Sequence, residues 1–275
     1  MKYGIYYFSG TGNTERVVKI LAEELQKYGE SELYRIKDGK ETYPVCDKVI
    51  LAYPVHGFNV PANVLEFAEN LPSYSEKSFY IVKTSGEPLR LNDASSAKLV
   101  KILRKKGYGY KGEYHYVMPY NMIFRHTDEM ASKMLATAKE RLPRAAKEIA
   151  EGETNLKRIP FRAKLASAVC KIERKGLRFN GRFYKVDTDK CVGCLQCVRN
   201  CPVKNISYDG KTFRFGKECL GCACCAFNCP TDAIKSGILN FMKVNGKYDF
   251  NKDPSKARVG KYCRKSYLKY FGEKG

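Results

Sequence analysis

Nine of the twelve cysteines fall between Cys191 and Cys229, and eight of them form a repeat. Cys191-Val-Gly-Cys-Leu-Gln-Cys-Val-Arg-Asn-Cys-Pro202 returns 28 residues later as Cys219-Leu-Gly-Cys-Ala-Cys-Cys-Ala-Phe-Asn-Cys-Pro230. Seven of the twelve positions are identical, and Ile206 and Ile234 keep the same offset. Each half reads C-x2-C-x2-C-x3-C-P. An iron–sulfur cube needs four converging thiolates. Three at this spacing wrap it from one loop, and the fourth comes from the other run. The expected ligands of one [4Fe–4S] cluster are therefore Cys191, Cys194, Cys197 and Cys229. Those of the second are Cys219, Cys222, Cys225 and Cys201. Gly193 and Gly221 let backbone pass close to the sulfides and leave N–H groups to donate to them. Pro202 and Pro230 turn the chain away after the crossing cysteine. Structural zinc sites use paired C-x2-C units with larger spacers, a different pattern. Cys224 stands beside Cys225 and competes in a shifted register; Cys225 preserves the repeat. Cys46, Cys170 and Cys263 are isolated and expected to be ordinary thiols.

The 275 residues are 44% apolar, enough for two modest domains. Met1-Lys2-Tyr3-Gly4-Ile5 runs straight into a strand-like segment, without the charged and apolar regions of a leader. No apolar run approaches membrane-span length. A cytoplasmic location is expected, where clustered cysteines signal metal or redox chemistry rather than disulfides.

Residues 1–150 alternate strands and helices. Tyr3 to Phe8 reads as a strand. The following helix carries Val17, Val18, Leu21, Leu25 and Tyr28 on one face. Leu33 to Ile36 reads as an edge strand, and Val49 to Ala52 as a strand covered on both faces. Pro61 suits the first turn of a helix burying Val64, Leu65 and Ala68. Phe79 to Val82 and Tyr114 to Met118 complete five strands. Asn92 or Asp93 is expected to cap the helix of Leu99, Ile102 and Leu103, and Thr127 a last long helix that Pro143 kinks or splits. The pattern is α/β, a doubly wound parallel sheet, which binds ligands beyond the carboxyl ends of its strands. Residues 151–182 read as a connector. A helix from Phe161 to Lys175 would place Leu165, Ala168, Val169 and Ile172 on one face, with Gly176 stopping it. Residues 183–237 hold the cysteine module. Residues 238–275 form a basic C-terminal extension rich in Tyr and Phe.

After the first strand comes Phe8-Ser9-Gly10-Thr11-Gly12-Asn13-Thr14-Glu15. Hydroxyls, two glycines and a helix N-terminus together can surround a phosphate. No Gly-Lys-Ser/Thr follows, so this is not a nucleoside-triphosphate loop. The third glycine of a dinucleotide fingerprint is missing as well. Gly107-Tyr-Gly-Tyr-Lys-Gly112 matches that fingerprint but follows a helix and precedes a strand, the wrong order.

The Ser9 to Thr14 loop resembles the phosphate loop of the flavodoxin family, over about residues 1–150. The resemblance implies bound FMN and strand order 2-1-3-4-5. It implies a phosphate site at Ser9, Gly10, Thr11, Gly12, Asn13 and Thr14. It also implies that the ring sits between two further loops, Tyr53, Pro54, Val55, His56, Gly57 and Phe58, and Thr84, Ser85, Gly86 and Glu87. Asn121 follows the fifth strand and is a further candidate. Tyr53 or Phe58 would stack on the ring, since the chain has no Trp. The cysteine module, a small α+β unit, resembles the bacterial two-cluster ferredoxins over Phe183 to Gly237. The order of the two modules resembles flavodoxin–ferredoxin fusion proteins of anaerobes.

FMN handles one or two electrons and each cube handles one, so one polypeptide carrying both is expected to relay electrons. The formal charge is +21, and 27 of the 50 Lys and Arg lie in residues 151–275 against 11 Asp and Glu. Cofactors offset a few of these charges. The excess favours an acidic redox partner protein; without a recognisable binding module, nucleic acid is not expected. The alternative is a flavin-dependent reductase of a small acceptor, fed by the clusters.

Overall fold

The computed structural model describes residues 1–75 and 77–273, with backbone alone for 172–175. The first half runs β1 Lys2–Tyr7, α1 Asn13–Leu25, β2 Glu30–Arg35, β3 Lys48–Pro54, α2 Ala62–Asn70, β4 Lys77–Ser85, α3 Ala97–Lys105, β5 Tyr108–Val117 and α4 Asp128–Glu151. All pairings in the sheet are parallel, in the order β2-β1-β3-β4-β5. Side chains alternate across a strand, and both faces are covered. Tyr3, Ile5, Ile50, Tyr80 and Val82 pack under α1 and α4, whereas Phe8, Val49, Leu51, Phe79 and Ile81 pack under α2 and α3. The order reverses between β1 and β3, which opens a crevice at their carboxyl ends.

Thr127 caps α4 by accepting from Met130 N at 3.2 Å. Three local expectations differ. The helix α3 starts after Ser96, because Arg90–Ala94 forms a separate 3-10 turn containing Asn92 and Asp93. Pro143 does not split α4, which runs from Asp128 to Glu151. Tyr28 lies beyond the end of α1 and is exposed.

The connector forms two helices, α5 Phe161–Val169 and α6 Lys171–Gly181, and α6 continues through Gly176. The buried positions of α5 are Ala163 and Ser167, so Leu165 and Val169 face outward instead of inward. Ile172 and Lys175, also expected there, lie outside the described side chains.

The cysteine module is β6 Tyr184–Val186, α7 Gln196–Arg199, β7 Ile206–Tyr208, β8 Phe213–Phe215, α8 Cys224–Phe227 and β9 Ile234–Ser236. β6 pairs with β9 and β7 with β8, both antiparallel. The sequence repeat is also a backbone repeat. Left-handed residues recur at the same offset: Gly193 with Gly221, Leu195 with Ala223, and Lys204 with Asp232. The remaining chain returns to the first half. Ile123 N donates to Met242 O at 2.7 Å, and Tyr267 of α9 (Arg264–Phe271) packs with Val117, Met130 and Met134.

Candidate cofactor sites

A cavity of about 660 Å³ opens at the carboxyl ends of β1, β3, β4 and β5. It gathers Ser9, Gly10, Thr11, Asn13 and Thr14 from the first loop. The loop after β3 adds Pro54 to Phe58, the loop after β4 adds Thr84, Ser85 and Gly86, and the loop after β5 adds Asn121. Two expected residues stand elsewhere. Gly12 faces a polar cleft behind the loop, with Arg16, Arg35 and Lys247. Tyr53 is fully buried in the sheet core beneath α2 and α3, so it does not stack on a ring in the cavity. Phe58, in a left-handed conformation after Gly57, is the aromatic of this loop that lines the cavity.

Short polar contacts tie the loops together. Gly12 N donates to Ser9 Oγ at 3.1 Å, and the left-handed φ of Gly12 (95°) starts α1 immediately after the turn. The hydroxyls of Thr14 and Thr84 meet at 2.8 Å, and Asn121 Nδ2 donates to Thr11 Oγ1 at 3.1 Å. Arg35 Nη2 donates to Ser9 O at 3.2 Å. Hydroxyls, loop amides, a helix N-terminus and a nearby guanidinium suit a phosphate monoester.

The far side of the cavity holds an acid. Glu87 is buried; its carboxylate accepts from the Tyr120 hydroxyl and, at 3.3 Å, from Asn92 Nδ2. Burial pushes this carboxyl up. Asn92 lines the cavity, and its Oδ1 is buried without a hydrogen-bond partner among the described residues. That leaves an acceptor for a bound N–H group. A buried ion pair holds this turn from below: Lys83 Nζ donates to Asn92 O at 2.8 Å and to Glu113 Oε1 at 2.6 Å. His115 Nε2 meets Ser85 Oγ at 2.7 Å, and burial pulls its pKa down to about 3, so the ring is neutral. These residues fit FMN.

Sequence reasoning missed the rest of the wall. Leu177, Phe179 and Asn180 of α6, with Gly221, Ile238, Leu239, Met242 and Tyr262, close the cavity from the second half. No local signal marks them, because they arrive by tertiary docking. The second half also meets the phosphate loop: a methyl group placed on Gly10 would lie 2.6 Å from the Cys222 carbonyl oxygen.

Each expected cysteine set surrounds its own cavity. Cys191, Cys194, Cys197 and Cys229 line one, with Val186, Phe213 and Ile234. Cys201, Cys219, Cys222 and Cys225 line the other, with Tyr184, Ile206 and Phe215. Cys224 reaches the edge of the second, where its Sγ donates to Asn200 O at 3.4 Å. The crossing cysteines match: Asn205 N donates to Cys201 Sγ and Ala233 N to Cys229 Sγ, both at 3.2 Å. Burial pushes the free thiols of Cys219 and Cys222 up, so thiolates there require a cation beside them. Among the described residues no three His, Cys, Asp or Glu converge as a single metal ion needs. Four cysteines around an apolar opening fit a four-iron cube.

Fold and sites together define an electron-transfer flavoprotein with an iron–sulfur module. A family model of the flavodoxin domain matches residues 4–106, and a model of the 4Fe-4S binding domain matches residues 184–207. The chain thus joins a flavodoxin domain to a 4Fe-4S binding domain, which imply FMN and [4Fe–4S] clusters. The second model covers the first cysteine run, and the backbone repeat extends it to the second. The flavodoxin of Streptococcus pneumoniae TIGR4 is 21% identical, over 55% of this chain and 99% of that one, with a TM-score of 0.40. Oxidised flavodoxin 2 from Bacillus cereus is 18% identical over 55% and 99%, with a TM-score of 0.40. Rubredoxin oxygen:oxidoreductase from Desulfovibrio gigas is 19% identical over 55% of this chain and 35% of that one, with a TM-score of 0.39. No curated protein sequence matches the chain. Among the described residues no helix is long and apolar enough to cross a membrane.

Proposed function

We propose that the chain is a relay with a fixed order: redox partner, the cluster of Cys191, Cys194, Cys197 and Cys229, the cluster of Cys201, Cys219, Cys222 and Cys225, then FMN. The observation that carries this order is the contact of Gly10 with the Cys222 carbonyl. It puts the second cysteine loop against the flavin phosphate loop. The first loop has exposed residues at Val192, Gly193 and Gln196, where a partner protein can approach. The cofactors supply the redox chemistry: each cube passes one electron, and FMN takes one or two. The residues of the chain fix which cofactor meets which, and bury the inner pair. The basic second half selects an acidic protein partner.

Anaerobic rapid mixing with a reduced acidic carrier protein, read at the cluster and flavin absorbances, tests the order. Iron–sulfur bleaching should precede flavin bleaching. In Cys222→Ser the flavin step should vanish while the outer cluster still bleaches. Flavin bleaching that keeps its rate in Cys222→Ser overturns the relay.

A second reading, reduction of a small acceptor at the flavin, draws on the apolar wall of Ile123, Leu177, Ile238, Leu239 and Met242. Steady turnover with a defined apolar acceptor, absent in Leu239→Glu, would support it.

A further inference from the structure

We propose that the α5–α6 segment seats this protein on an anionic lipid bilayer. The segment 156–185 holds ten Lys and Arg and one acidic residue, Glu173. On α5, Ala163 and Ser167 face the protein, while Phe161, Leu165 and Val169, at i, i+4 and i+8, form an outward stripe. Their exposures are 79%, 55% and 59%. At 100° per residue Arg162 flanks the stripe on one side and Lys164 on the other. A second apolar group lies at the C-terminal end of α6. Phe179 and Phe183 stack edge to face at 5.0 Å, Phe183 Cβ lies beside Gly237, and Ile238 is 64% exposed.

Exposed Phe, Leu and Val between flanking Lys and Arg is the composition of a helix lying in a membrane interface. The charge argues against a second copy of this chain, because two such basic segments would repel. An acidic protein would meet the charges, but it gives three outward apolar side chains on one helix face no partner of their own kind. An anionic bilayer meets both: headgroups take the Lys and Arg, and the acyl boundary takes the stripe. Phe179 and Ile238 also line the flavin cavity, so docking turns the cavity mouth toward the lipid. None of Phe161, Leu165 and Val169 lines the cavity of the outer cysteine set, through which the proposed relay meets its partner.

The test uses the anaerobically purified full chain with its iron and FMN. Sedimentation with phosphatidylcholine vesicles is compared with vesicles that also contain phosphatidylglycerol. Binding is expected only with phosphatidylglycerol, weakening with salt. Leu165→Glu should lower partitioning about tenfold at unchanged iron and FMN content, whereas Lys139→Gln on α4 should not change it. The chain has no Trp, so Phe161→Trp adds a single reporter. Its emission should shift to the blue on phosphatidylglycerol vesicles. No sedimentation at low salt overturns the proposal. So does sedimentation without a blue shift, which is electrostatic adsorption alone. A blue shift produced by an acidic carrier protein and not by vesicles assigns the stripe to protein docking and also overturns it.

Discussion

The two cysteine loops share a sequence pattern, a backbone path and a set of crossing ligands, yet they sit in opposite surroundings. Around Cys194, Val192, Gly193 and Gln196 are exposed. Around Cys222, Gly221, Ala223 and Cys224 are buried, and Leu220 and Cys222 pack against the sheet core of the first half. A cluster's potential depends on hydrogen bonds to sulfur and on exposure as well as on its ligands. In the proposed relay the same written motif thus yields an outer cluster on the solvent side and an inner one on the flavin side. Ligand pattern is a local property; position in the relay is set by which loop the neighbouring module covers.

Removing one ligand from each loop should separate the two most sharply. Cys194→Ser and Cys222→Ser should each lower iron from about eight to about four per chain. FMN affinity should fall only in Cys222→Ser, by about 1–3 kcal/mol, or roughly five- to 150-fold, the usual range of coupling between sites. Release of FMN on dilution, followed by flavin fluorescence, measures it. Equal loss in both variants would mean that the modules couple through something other than the Cys222 loop.

Gly10→Ala attacks the same contact from the flavin side. The added methyl has no room beside the Cys222 carbonyl at 2.6 Å, so the loops must part. Overpacking of this kind costs about 1–3 kcal/mol. Flavin reduction by the clusters should slow while the iron content stays whole. A variant with wild-type transfer kinetics would show that the Gly10 contact does not set the pathway.

Gly193 and Gly221 give a finer comparison. Both have φ of 66°, so Ala at either position carries left-handed strain of about 1–2 kcal/mol. A Cβ on Gly193 meets nothing within 4 Å, whereas one on Gly221 lies 2.7 Å from Leu177 Cδ1. Gly221→Ala should therefore be less stable than Gly193→Ala by about 1 kcal/mol in anaerobic denaturant unfolding. Equal costs would mean that Leu177 swings aside freely.

The sequence carried the sheet and its buried strands, and it grouped the cysteines as they line the two cavities, because strand periodicity and cysteine spacing are local. The phosphate loop was legible for the same reason. Tyr53 misled: it adjoins the cavity-lining Pro54 in sequence, but alternation along β3 sends its ring into the core. The outward stripe of α5 misled too, since apolar spacing marks a face without saying whether anything covers it. Glu87 lay in the expected loop after β4, but Asn92 could be read only after the turn at Arg90–Ala94 was known to fold back on that loop. The wall from α6 and from Ile238 to Met242 had no sequence signal at all, because it forms by docking of one module on the other.

The smallest expected effect concerns the partner. Lys190 is exposed next to Cys191, and Arg199 is exposed with Nη2 donating to Cys194 O at 2.7 Å. Both charges belong to the outer loop. Exposed charge pairs contribute about 0.2–1 kcal/mol each, so Lys190→Gln should slow reduction by an acidic carrier protein by no more than about fivefold. The loss should fade as salt shortens the screening length, because steering acts between solvent-exposed charges. Lys139→Gln, on α4 and away from either cysteine loop, should leave the rate unchanged. Stopped-flow rates at several ionic strengths decide it. If both substitutions slow the reaction alike, the carrier is answering the net charge of the chain rather than the outer loop, and the solvent-facing cluster loses its claim to be the point of contact.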